Sequence, residues 1–369
     1  MSLAQPDSQS AAKSEALRAA LGCAHPLIQA PMAGAQGSAL AIAVGQAGGL
    51  GSLPAAALAP DALRAELAAV HASGLPCNLN FFAHTPPELD GPQGQANQAA
   101  LAAWHARLRP HLEALGLDAA PIPASPGRRP FDEEAAAALV AEARPRVVSF
   151  HFGLPAPHLL AQVKASGAFV LSSATTVDEA LWLEAHGADA VIAQGLEAGG
   201  HRGHFLSDDL TRQSGLFALL PQIVAAVRLP VIATGGIASA EGVRAALALG
   251  AAGVQIGSAY LCADEAATSA LYRAALQSPA AAHTQITTVM TGRPARGLPN
   301  RLMRELGPLP EGVPPFPLPS AAAALLRAAA EAKGSADYSF LWCGQNASAC
   351  RPGRAADITA ALLRGFAPA

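Results

Sequence analysis

Short apolar runs that stop at Gly, Pro, Ser or Asn recur eight times along the chain. They are LIQAPM (27–32), GLGSLP (49–54), CNLNFF (77–82), VVSFHFG (147–153), FVLSSA (169–174), AVIAQG (190–195), VIATGG (231–236) and GVQIGSAYL (253–261). The runs are continuous rather than alternating, as parallel strands covered on both faces require. Between most of them lie Ala- and Leu-rich stretches with helical spacing. TVDEALWLEAHGA reads as a helix with Thr176 as its N-cap, acidic residues in the first turn and glycine near its end. SAEGVRAALALGA reads as another, capped by Ser239.

Eight strands alternating with helices predict an α/β fold, a (β/α)8 TIM barrel, ahead of an open doubly wound sheet. The first strand ends in APMAGAQG, which lacks the G-x-G-x-x-G turn that an open dinucleotide-binding sheet carries there. Two stretches depart from the repeat. Residues 84–135 form an insertion between the third and fourth strands, with a helical piece at AALAAWHARLRPHLEAL. Residues 263–345 follow the eighth strand and read as a small, mainly helical subdomain with a Pro-rich linker, LPEGVPPFPLPS. The barrel then spans 20–262, and a C-terminal helix within 350–369, containing ADITAALLRGF, completes it.

Composition narrows the partners. The chain has 369 residues, 51% hydrophobic and 14% charged, with a net charge of −3, so a large core is easily supplied. No basic field for nucleic acid or anionic lipid is present, and aromatics at 5% leave little for base stacking. The first residues hold no apolar segment after a basic start, and no uninterrupted run of 18 apolar residues occurs. Five scattered cysteines without a C-x-x-C pair fit reduced thiols rather than a zinc site or disulfide frame. A cytoplasmic protein is expected, a monomer or homodimer with no nucleic-acid or membrane partner.

Functional groups of such a barrel sit at the carboxyl ends of its strands. ATGGIAS and QIGSAYL close the seventh and eighth strands with glycines whose N–H groups can face an anion, the usual place of a barrel phosphate site. The residues concerned are Gly235, Gly236 and Gln255 to Ser258. In AQGLEAGGHRGH, Gly199 and Gly200 let the backbone approach a flat ligand. His201 is then held over that ligand, where an imidazole can take a proton near neutrality. His151 in VVSFHFG is the second candidate, pointing into the barrel mouth, while Arg202 and His204 read mostly as structural. A metal site from Glu197, His201 and His204 lacks the helical spacing and third carboxylate it needs, so no metal is expected.

IQAPMAG, PCNLNFFAHTPP, VVSFHFGLP, AQGLEAGGHRG, VIATGGIA, GVQIGSAYL and TGRPARGLPNR together resemble the nitronate monooxygenases, in the class I branch, from about residue 20 to the end. The most specific pieces are A-Q-G-x-E-A-G-G-H and G-R-P-A-R-G. The resemblance implies an FMN enzyme that oxidises alkyl nitronates, such as propionate 3-nitronate, with dioxygen to a carbonyl compound and nitrite. It implies that Asn80, Gln194, Gly199, Gly236 and the run Gln255, Ile256, Gly257, Ser258 bind FMN. Pro31 and Met32 would contact the isoalloxazine, and His201 would be the catalytic base. Ser258 stands where the family often has threonine, which keeps the hydroxyl. The alternative on the same barrel is an FMN-dependent NAD(P)H:quinone or enoyl-thioester reductase. A flavin-free barrel of the Schiff-base kind is disfavoured, because no lysine ends a strand.

Overall fold

The computed structural model describes residues 8–367 except 118–121, 123–129 and 132–133. In chain order the strands are β1 (Leu27–Gln29), β2 (Gly51–Leu53), β3 (Cys77–Phe82), β4 (Val147–His151), β5 (Phe169–Ala174), β6 (Ala190–Gln194), β7 (Gly200–His201), β8 (Val231–Thr234), β9 (Gly253–Ile256), β10 (Gln285–Thr287) and β11 (Ala295–Gly297). All but β7, β10 and β11 form one parallel sheet in the order β1-β9-β8-β6-β5-β4-β3-β2. It closes where Leu50 N–H donates to Leu27 O (2.8 Å) and Gln29 N–H donates to Leu50 O (2.9 Å). A closed ring has no edge strand, and the eight apolar runs thus build the expected (β/α)8 barrel.

Alternation along each strand explains why whole runs are apolar. Leu27, Val191, Ala233 and Val254 face the helices, packed with Leu219, Leu220, Ile223 and Val243. Ile28, Leu50, Val147, Leu171, Ile192 and Ile232 face inward and pack on Leu17 and Leu21 of the helix Ser8–Leu21. Each fully buried Leu, Ile or Val contributes about 1.5–3 kcal/mol. Toward the carboxyl ends the interior turns polar, with Asn80, Ser149, Ser173, Gln194, Thr234 and Gln255 all buried.

Both predicted caps form. Thr176 accepts from Glu179 N–H ahead of Val177–Ala185, and Ser239 accepts from Gly242 N–H ahead of Ala240–Ala248. The helix Ala355–Leu363 packs on Ser38–Gln46 and Ala240–Ala248, and Thr359 Oγ1 lies 2.9 Å from Tyr260 Oη. The helical piece in the insertion is Gly91–Ala114, longer than its apolar spacing indicated, and much of the insertion after it falls outside the described residues.

Residues 263–345 hold the helices Ala270–Leu276, Arg301–Leu306 and Ser320–Ala332, and also β10 and β11. β11 pairs antiparallel with β10 and with β7, placing Ala295 opposite His201 and Arg296 opposite Gly200. Trp104, Leu108 and Leu112 of the inserted helix share a cluster with Leu326 and Tyr338. Two distant segments thus pack together beside the barrel mouth. No helix among the described residues is long and apolar enough to cross a membrane.

Candidate active site

A cavity of about 540 Å³ opens at the carboxyl ends of the barrel strands. Pro31, Met32, Asn80, His151, Gln194, Gly199, Gly200, His201, Gly235, Gly236, Gln255, Gly257 and Ser258 all line it. Ile256 does not. Its side chain is buried among barrel and helix residues and its carbonyl accepts from Ala30 N–H, because neighbours on a strand face opposite ways. Sequence runs name strand ends well but cannot treat four consecutive residues as one face.

After β8, Gly235 and Gly236 have φ of +120° and +71°, a backbone that side chains with a Cβ adopt only at a cost. After β9, Gly257 and the short turn Ser258–Tyr260 complete the second side of the cradle. Gln255 Oε1 is buried and has no hydrogen-bond partner among the described residues. An unpaired buried acceptor facing a cavity calls for a donor from a ligand. The polar floor, the glycine cradle and that acceptor fit a flavin mononucleotide.

The two adjacent glycines are small for different reasons. A Cβ on Gly199 would lie 2.4 Å from the carbonyl carbon of Cys343, so the C-terminal segment, rather than a ligand, demands its absence. Gly200 has φ of +72° and nothing within 4 Å of where its Cβ would be. Only Gly200 opens onto space that a ligand can use. Gln194 also has a second duty. Its Nε2 donates to His201 O (3.0 Å) and its Oε1 accepts from Gly203 N–H (2.8 Å), so its amide clamps the loop it precedes.

His201 sits on β7 and is partly buried, with Nε2 3.0 Å from Thr291 Oγ1. Its ring is walled by Phe316 (5.4 Å between centroids), Trp342 (5.8 Å), Phe152 (6.0 Å) and Phe82 (6.3 Å). Phe152 is held at φ +73°, a costly backbone for a bulky residue, with the Arg293 guanidinium 4.1 Å above its ring. An imidazole in an apolar wall beside a flavin-sized cavity is placed to meet a small substrate rather than bulk water.

His151 has both nitrogens engaged. Nε2 lies 3.0 Å from His201 O and Nδ1 3.0 Å from Ser173 Oγ. A carbonyl only accepts, so Nε2 carries the proton and the Ser173 hydroxyl donates to Nδ1. Burial pushes its pKa down to about 3, against a smaller upward pull from its hydrogen bond to His201. His151 thus positions the His201 loop through its hydrogen bond to the His201 carbonyl.

The remaining groups of AQGLEAGGHRGH are structural. Glu197 accepts from Leu216 N–H (2.9 and 2.8 Å), capping the helix Leu216–Ala226. Arg202 is fully buried and donates to Gln213 Oε1, Gly195 O and Gln194 O, each at 2.8 Å. Burial lowers its pKa to about 9, leaving it a cation at neutral pH. His204 is pushed down to about 4, chiefly by burial and next by Arg293, and its Nε2 lies 3.4 Å from Asp208 Oδ1. Glu197, His201 and His204 thus turn to separate partners.

Sequence reasoning missed the wall supplied from the far end of the chain. Thr291, Arg327, Phe340, Trp342, Gly344 and Asn346 line the cavity, Gly344 N–H donates to Ser258 Oγ (2.9 Å), and Asn346 Nδ2 donates to Gly236 O (3.0 Å). The one available signal was WCGQNASAC, a polar break with glycine and asparagine inside an Ala-rich tail.

A closed (β/α)8 barrel with glycine turns after β8 and β9 and a walled histidine at its mouth is the architecture of a barrel enzyme. The nitronate monooxygenase family profile matches residues 14–365. A nitronate monooxygenase of Pseudomonas aeruginosa is 41% identical, over 93% of this chain and 96% of that one. One of Paraburkholderia phytofirmans is also 41% identical, over 95% and 94%. Among solved structures, nitroalkane oxidase from Streptomyces ansochromogenes superposes with a TM-score of 0.84 at 36% identity, covering 94% of this chain and 96% of that one. FabK from Thermotoga maritima superposes with a TM-score of 0.69 at 25% identity, covering 95% of each. The chain belongs to the nitronate monooxygenase family. It is an oxidoreductase, and flavin dependence is a property of that family.

Proposed function

We propose that this enzyme binds FMN and oxidises alkyl nitronates with dioxygen, releasing a carbonyl compound and nitrite. The observation that carries the reading is His201, held between Thr291 and an aromatic wall beside the glycine cradle. Gly235, Gly236, Gly257 and Ser258 would hold the phosphate, Pro31 and Met32 would contact the ring system, and Gln255 Oε1 would accept from the cofactor. When bound, FMN supplies the electron-accepting ring. The residues of the chain bind, orient and exclude water. Phe82, Phe152, Phe316 and Trp342 keep the site dry, which strengthens any charge contact made inside it. His201 takes the α-proton from a neutral nitroalkane, or as a cation holds a nitronate that has already lost it. His151, Ser173 and Gln194 fix the carbonyl of His201 and so the position of its ring. Residues 263–345, with the inserted helix, act as the cover of this site rather than as a separate catalytic unit.

Oxygen uptake and nitrite release with propionate 3-nitronate test the reading directly. Its failure would be absence of both, with rapid anaerobic bleaching of the bound flavin by NADH. That outcome would favour the reductase reading.

A further inference from the structure

Three of the five cysteines, Cys262, Cys343 and Cys350, share one buried cluster although they lie on two distant segments. Cys262 follows the turn after β9, and the other two belong to WCGQNASAC near the end of the chain. Contacts on either side of the thiols tie these segments together. Gly344 N–H donates to Ser258 Oγ (2.9 Å), Ala263 and Gly353 pair as a parallel bridge, and Asp264 N–H donates to Gly353 O (2.9 Å). Ala355 N–H also donates to Glu265 Oε2 (2.8 Å). Between those ties the Cys350 thiol donates a hydrogen bond to the Cys262 sulfur, and the side chain of Gln277 donates a second. The bond from Cys350 above all, with Gln277 and the Arg273 guanidinium, holds Cys262 below the ordinary thiol range against the opposing effect of burial. The cysteines outside this pair are the reverse case: burial pushes Cys23 up to about 11, and Cys77 and Cys343 up to about 12. Met32, Leu261 and Tyr272 belong to or pack on the same cluster and also line the cavity, so the cluster that holds the thiol pair forms the back of the cavity wall.

We propose that Cys262 and Cys350 are a redox modification site, a dithiol that hydrogen peroxide oxidises to a disulfide joining the turn after β9 to the C-terminal wall of the cavity. Cys262 is the attacking sulfur, because the thiolate and not the thiol is the nucleophile. Its sulfur bonds to one peroxide oxygen as the O–O bond breaks, and the other oxygen leaves as water. The Cys350 sulfur then attacks the resulting sulfenic acid, the S–O bond breaks, and the second oxygen leaves as water. The two thiol protons end on the two waters, the sulfurs together give up two electrons, and the peroxide takes them. Cys350 rather than Cys343 is the partner, because Cys343 accepts instead from the main chain of Leu298. No step depends on the nitronate chemistry of the cavity.

The test exposes the reduced full-length protein to hydrogen peroxide, alkylates the remaining thiols under denaturing conditions and maps the peptides by mass spectrometry. Wild type should fall from five free thiols to three, with one cross-linked peptide pair carrying Cys262 and Cys350, and dithiothreitol should restore all five. Cys262 should disappear at least about tenfold faster than Cys23, Cys77 or Cys343, since the thiolate fraction governs the rate. Cys350→Ser should stop at the sulfenic acid, which dimedone traps on Cys262. Cys343→Ser should leave the cross-link in place. Should a serine variant fail to fold, the wild-type peptide map decides by itself. Retention of all five thiols at a peroxide dose that fully oxidises free glutathione overturns the site. A cross-link through Cys343 in place of Cys350 also overturns it, as does loss of Cys262 no faster than that of Cys77.

Discussion

His151 donates from Nε2 to the main-chain carbonyl of His201 at 3.0 Å, one histidine holding the backbone of another. Ser173 fixes the ring of the first, and Thr291 meets the ring of the second. The pair divides the work: both imidazoles line the cavity, one holding the loop and the other ringed by aromatic side chains. The division leads to distinct outcomes on mutation.

Changing His201 to Asn removes the base and keeps a polar side chain. Nitroalkane turnover should fall about 10²–10⁴-fold, the usual worth of a general base. Nitronate turnover should fall much less, because that substrate has no α-proton to lose. Steady-state oxygen uptake on matched nitroalkane and nitronate pairs measures both; an equal fall would remove the base assignment.

His151→Asn should lower both activities together, since it loosens the loop rather than the proton transfer. It should also change the acid limb of stability. With a folded pKa of about 3 against an ordinary 6.5, the unfolded state binds a proton that the folded state refuses. Stability contributed above pH 6.5 is therefore lost as pH falls through this window. The slope is at most about 1.4 kcal/mol per pH unit for one proton. Urea unfolding at several pH values should show wild type with the steeper slope, and identical slopes would mean that His151 takes up its proton as readily in the folded protein as in the unfolded one.

Gly236 and Gly257 separate folding from cofactor binding. Gly236 has φ of +71°, so any substitution is strained, and Gly236→Ala should cost about 1–2 kcal/mol whether or not a ligand is present. Gly257 has φ of −110°, and an added Cβ would sit 3.4 Å from Ala30 Cβ and 3.7 Å from Met32 Sδ. Gly257→Val should therefore fold and lose its yellow colour. Flavin absorbance per protein, read beside circular dichroism, checks this; a folded, fully yellow variant would place the cofactor elsewhere.

Arg202→Met should be far more damaging than its distance from the reacting groups suggests. It leaves the carbonyls of Gln194 and Gly195 and the Gln213 amide oxygen without their donor. Each buried acceptor left without a donor costs about 1–3 kcal/mol. A denaturant midpoint within error of wild type would show that solvent reaches this loop.

The sequence by itself determined the barrel, because burial on both faces imposes continuous apolar runs and capping residues mark where each helix begins. Strand ends, and so most cavity-lining residues, followed from that local pattern. What only tertiary structure decided lay in contacts between distant segments. The two most specific motifs, AGGH and GRPARG, are joined as β7 and β11, and neither shows on its own that it is the other's partner. Gly199 is small because Cys343 presses on it, and Ile256 turns away from the cavity although its neighbours face it. Arg327, Trp342 and Asn346 reach the site from more than 60 residues beyond the last barrel strand. The physical reason is range. Periodicity and capping act within a few residues of chain, whereas a packed wall and the absence of a Cβ are settled only when two remote surfaces meet.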